Sequence, residues 1–78
     1  MKERRKRFVL CLNNADYEAS LIVGKVYRVL PDVQAAKDDL IRIVDESGED
    51  YLYHISQFAL VGFPRPVEKK LLALQPTA

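Results

Sequence analysis

The sequence predicts an all-β fold of five short antiparallel strands with a short helix at its C-terminal end. Two features point that way. Residues 7–12, 25–30 and 40–44 are short runs dense in Val, Ile, Leu and aromatic side chains, the composition that fits a pleated, half-buried surface. Asp45-Glu46-Ser47-Gly48 then reads as a tight hairpin turn between two such runs, with Asp at the first turn position and Gly free to take positive φ.

Residues 7–12 form the first strand, and apolar residues on both of its faces suit burial on both sides, as in a small closed barrel. Asn13, Asn14 and Asp16 end it, because their side chains compete for backbone hydrogen bonds; residues 13–20 are expected as an irregular loop. Gly24 offers positive φ for the turn into the second strand at residues 25–30. Pro31 stops that strand, since it cannot donate to a ladder. Residues 34–37 suit one helical turn, too short to be stable alone.

Residues 40–44 form the third strand and residues 49–54 pair back as the fourth, placing Tyr51 and Tyr53 on one face. Residues 55–58 fit a single 3₁₀ turn, and residues 59–61 a fifth strand. Gly62-Phe63-Pro64-Arg65-Pro66 is a stiff connector. In residues 67–74, Val67, Leu71 and Leu74 share a helical face with Leu72 beside it. A helix this short needs a packing partner, so the stripe is expected to be buried on the sheet or against a second copy, leaving a homodimer open.

The chain has the length of one small domain, 78 residues. It divides into a basic arm (1–7), a barrel (8–63) and a connector with its helix (64–78). Net charge is +1, but Lys2, Arg4, Arg5, Lys6 and Arg7 concentrate the positive charge in the arm, leaving the remainder mildly acidic. That balance disfavours a broad nucleic-acid-binding face, which needs clustered Lys and Arg. One cysteine cannot form an internal disulfide. The longest apolar run before the helix, residues 8–12, falls short of a membrane span or a signal-peptide core, so a cytoplasmic protein is expected.

The element order is that of an SH3-like barrel, with a long loop joining the first two strands. Asn14-Ala15-Asp16-Tyr17-Glu18-Ala19 resembles the acidic, aromatic start of the first SH3 loop, Leu21-Ile22-Val23-Gly24-Lys25 the turn into the second strand, and Ile55-Ser56-Gln57-Phe58-Ala59-Leu60-Val61 the 3₁₀ turn and last strand. The chain also resembles a group of small, functionally uncharacterised bacterial proteins through Cys11, Asn14, Asp16, Tyr17, Ser20, Leu21, Gly24, Lys25, Tyr27, Pro31, Asp32 and residues 45–53. This likeness spans residues 8–63 and implies the barrel without an activity. The groove that SH3 domains use for polyproline is not reproduced: there is no Trp, and Phe58 and Ile55 stand where those domains carry Tyr and Pro.

No catalytic constellation is legible, and neither a metal nor another cofactor is expected. His54, at a strand end, has no nucleophile beside it in an obvious catalytic pairing, and Cys11 reads as a small core residue. Asp45, Glu46, Glu49 and Asp50 read as a solvated acidic turn, without the spacing of a calcium loop. The expected function is that of a non-enzymatic binding or adaptor module for a protein partner. Its candidate surface comprises Asn14, Asp16, Tyr17 and Glu18 on the first loop, Tyr51 and Tyr53 on the fourth strand, and Phe58. The alternative is nucleic-acid binding, with Lys2, Arg4, Arg5, Lys6 and Arg7 as a basic arm and tyrosines stacking on bases.

Overall fold

In the computed structural model, residues 7–74 are described. Five strands, β1 (Phe8–Cys11), β2 (Val26–Leu30), β3 (Leu40–Val44), β4 (Asp50–His54) and β5 (Phe58–Val61), form one antiparallel sheet in the order β4-β3-β2-β1-β5. Helix α1 (Val33–Lys37) lies between β2 and β3, a 3₁₀ turn (Ile55–Gln57) between β4 and β5, and helix α2 (Arg65–Leu74) at the end.

The strands fall within a residue or so of their sequence-based bounds. Asp32 extends the helical turn expected at residues 34–37: its carboxylate accepts from the Ala35 N–H at 2.9 Å and caps α1. Ala35 is the buried residue that holds α1 in place. The hairpin also forms as expected. Gly48 sits at φ +86°, the Gly48 N–H donates to the Asp45 carbonyl, and Val44 pairs with Asp50.

Alternation along the strands builds the core. Val9 and Cys11, Tyr27, Ile41 and Ile43, Tyr53 and Phe58 share one side, where Leu21 packs against them. The registers Val9↔Tyr27, Ile41↔Tyr53 and Cys11↔Phe58 bring these side chains into rows. Phe8 is also fully buried, with the Phe63 ring edge-on at 5.7 Å.

Two expectations meet differences. The ladder does not close into a barrel: β4 and β5 remain its two edges, joined through the 3₁₀ turn. The five residues of β4 pair with β3 and the four of β5 with β1, and among the described residues no ladder joins β4 to β5. The second difference concerns α2. The helix forms and begins within the Pro64-Arg65-Pro66 connector, but its apolar stripe is only partly covered within one chain. Leu71 and Leu72 are half-buried, whereas Val67 and Leu74 are exposed. The Arg7–Glu68 contact that reaches across to the helix is long, 4.0 Å.

Candidate functional site

The loop between β1 and β2 is held by its own chemistry. The Asn13 side chain accepts from the Ala15 N–H at 2.8 Å, closing an Asx turn. The Tyr17 carbonyl accepts from the N–H groups of Ser20 and Leu21, both at 2.9 Å, and Asn14 Nδ2 donates to the Leu21 carbonyl. Leu21 is fully buried and anchors the far end of the loop in the core. Asp16 supplies the left-handed residue this path requires, at φ +72°, a conformation that Asp tolerates better than most residues.

One tyrosine–carboxylate pair locks this loop to the β3–β4 turn, and a second braces the turn itself. The Tyr27 hydroxyl donates to Glu46 Oε2 at 2.5 Å and accepts from the Ile22 N–H at 2.8 Å, while Lys25 Nζ meets the same Glu46 oxygen at 2.6 Å. The Tyr53 hydroxyl donates to Asp45 Oδ2 at 2.5 Å, and Asp45 Oδ1 accepts from the Ser47 N–H and hydroxyl. A backbone bond from the Glu46 N–H to the Ser20 carbonyl completes the seam.

These contacts set the titration of the groups. Burial pushes the Asp45 carboxyl up, but the hydrogen bonds from Ser47 and Tyr53 outweigh it and hold the group below the usual range. Lys25 first, then Tyr27, hold Glu46 low. Burial and the carboxylate partners raise the Tyr27 and Tyr53 phenols. This corrects the expectation of a solvated acidic turn: Asp45 is buried and fully engaged. Nothing in its local sequence marks it out, because its partner Tyr53 becomes a neighbour only through the β3–β4 pairing.

Of the candidate binding residues, Tyr17, Tyr53 and Phe58 meet in an aromatic stack. Tyr17 lies edge-on to Tyr53 with ring centroids 4.9 Å apart, and Tyr53 edge-on to Phe58 at 5.9 Å. They do not play equal parts. Tyr17 is 43% exposed, whereas Tyr53 and Phe58 are 3% and 7% exposed. The last two therefore correct the expectation of direct contact: they form the wall behind Tyr17 and have almost no surface to offer. Asn14 is engaged in bracing the loop. Asp16 and Glu18 flank Tyr17 in the open, and Tyr51 is exposed on β4, its hydroxyl donating to Glu49 at 3.0 Å.

Cys11 is buried and its thiol is pushed up by desolvation, the opposite of an activated thiolate. His54 Nδ1 accepts from the Ser56 N–H and caps the 3₁₀ turn. Among the described residues no cluster of three or more His, Cys, Asp and Glu is placed to hold a metal, and no helix is long and apolar enough to cross a membrane. Of the basic arm, Arg7 is described; Lys2, Arg4, Arg5 and Lys6 lie outside the described residues.

A cleft at the other end of the sheet was not legible in the sequence. Its walls come from Arg7, the end of β2, α1, the start of β3, Ile55 and Leu60, segments far apart along the chain. Val33, Ile55 and Leu60 are exposed aliphatics that converge there only in the fold. No family model, curated protein or solved structure matches this chain.

Proposed function

We propose that this chain is a non-enzymatic protein-binding module on a scaffold with the strand order of an SH3-like barrel, left open between β4 and β5, with the first loop as its contact surface. The strand order, the long braced loop between β1 and β2, and the 3₁₀ turn before β5 support the scaffold. The single observation that carries the binding reading is Tyr17, half-exposed yet fixed edge-on against the buried Tyr53. A pre-positioned aromatic ring supplies contact area with little entropy left to lose, as at interface hot spots. Asp16 and Glu18, exposed on the same loop, give the surface around Tyr17 an acidic character. Side chains able to do chemistry serve structure instead: Cys11 fills the core and His54 caps a turn.

The test is affinity capture with the full chain, followed by titration of any partner retained. Tyr17→Ala should weaken that partner about tenfold or more, the loss typical of a central aromatic. It should cost the fold only about 0.5–1.5 kcal/mol, the worth of one edge-on aromatic contact. Capture unchanged by Tyr17→Ala in a variant that still melts cooperatively would overturn the assignment.

A further inference from the structure

We propose that the cleft at the far end of the sheet is a binding site for a small anionic amphiphile, an aliphatic body carrying one carboxylate head. The cleft encloses about 590 Å³, within the ~300–1,000 Å³ of small-molecule pockets. Its walls are aliphatic, from Val29 and Leu30 on β2, Val33 on α1, Leu40 on β3, Ile55, and Leu60 on β5. Three of these, Val33, Ile55 and Leu60, are large side chains left open to solvent, and all three converge on this cleft. Exposed aliphatics scattered singly need no explanation; a convergent set does.

Charge complementarity selects the head group. Arg7, Arg28 and Arg42 line the cleft with Asp32 as the acidic member. Arg42 is already engaged, its Nε 2.9 Å from Asp32 Oδ2 and its Nη1 2.8 Å from Asp50 Oδ2, so two carboxylates more than balance its charge and fix the rim. Arg28 makes no ion pair or side-chain hydrogen bond among the described residues, and Arg7 makes only the long contact with Glu68. The Arg28 guanidinium is therefore the one cation lining the cleft with no acid partner among the described residues, and it stands beside an aliphatic wall. A guanidinium presents a planar fork that matches a carboxylate through two parallel hydrogen bonds. Arg28 lies on β2, paired opposite Val44 and Phe8 in the interior of the sheet, which mounts it on a rigid element.

The body of the ligand follows from what the cleft lacks. No aromatic residue lines it, so it offers no stacking platform for a base or another flat ring. Aliphatic surface beside a guanidinium that has no acid partner among the described residues suits a flexible chain ending in an acid. This site is separate from the Tyr17 surface, and neither reading depends on the other.

Titration of the full chain with octanoate below its micelle concentration, followed by ¹⁵N–¹H correlation spectra, tests the assignment. Saturable shifts confined to the cleft-lining amides of residues 7, 28–30, 32, 33, 36, 40–42, 55 and 60 are expected, with no such shifts from acetate and weaker binding of 1-octanol. Arg28→Gln should weaken octanoate about fivefold or more, corresponding to roughly 1 kcal/mol, and Leu60→Gln should do likewise; Arg28→Lys should fall between Arg28→Gln and the wild type. Tyr17→Ala should leave it unchanged. Octanoate that fails to saturate in the millimolar range, shifts spread over the whole sheet, or equal binding of octanol and octanoate would overturn the proposal. So would the same shifts produced at lower concentration by an oligothymidylate, which would assign the cleft to a nucleic-acid backbone.

Discussion

The two ends of the sheet solve the same problem in opposite ways. At the end where the first loop meets the β3–β4 turn, polar side chains are engaged with one another: Tyr27 and Lys25 with Glu46, Tyr53 and Ser47 with Asp45. At the other end Val33, Ile55 and Leu60 stand open around a cleft, and the Arg42 bridge to Asp32 and Asp50 is the main polar tie. A buried hydrogen-bonded network costs heavily if one member is removed, because its partners are then stranded away from water. An exposed aliphatic wall costs almost nothing to alter. The locked end thus carries stability, and the open end has surface free for a ligand.

The largest expected effect comes from the network. Asp45→Ala removes three accepted hydrogen bonds and strands the Tyr53 hydroxyl at a buried site, a loss of about 3 kcal/mol in denaturant unfolding. A loss below about 0.5 kcal/mol, the size of a surface substitution, would erase the distinction between the ends. Acid should act next. Asp45 and Glu46 both titrate below their usual range in the fold, so the unfolded chain binds more protons than the native one at low pH. Their stabilisation is complete above the ordinary carboxylate range and is lost as pH falls through the lowered native values. The melting temperature should therefore drop on acidification below about pH 4, and less steeply in an Asp45→Asn, Glu46→Gln double variant. Part of the drop should survive there, since Asp32 is also held low, by the Ala35 N–H first and then by Arg42.

Smaller effects sharpen the contrast. Gly48→Val places a β-branched residue at φ +86° in open space, so its cost is backbone strain alone, about 1–2 kcal/mol. At the open end, Leu60→Gln and Ile55→Gln should each change stability by no more than about 0.5 kcal/mol, measured by thermal melts. A cost there equal to that at Gly48 would show the cleft wall to be part of the core.

Local signals were enough to place the strands, the hairpin turn and α2, because each rests on a short-range pattern: alternation, Asp45 and Gly48 at a turn, Leu spacing in a helix. What could not be read from them depends on long reach. The burial of Asp45 and the engagement of Glu46 require hydroxyls from Tyr53 and Tyr27, eight and nineteen residues away. The cleft draws Arg7, Arg28, Val33 and Leu60 together from the whole length of the chain. Tyr17 stood out as a loop aromatic, but its support by Tyr53 depends on how the loop folds back over β4. Closure of the sheet belongs to the same class, since it turns on where two edge strands end relative to each other.

The position of β1 also sets the order in which the sheet is completed. β2, β3 and β4 follow one another as neighbours, and each pairing closes a short stretch of chain. β1 instead lies between β2 and β5, and Phe8 finds its second partner at Val61, roughly 50 residues later. Loop-closure entropy weighs more heavily on that contact than on the local pairings of the β2–β3–β4 meander. On a ribosome, β1 is made first yet waits with one edge unpaired until the final strand has emerged. For that interval Phe8, Val9 and Cys11 depend on β2 alone, and a nascent chain is exposed to mispairing at the segment that later becomes the interior of its sheet.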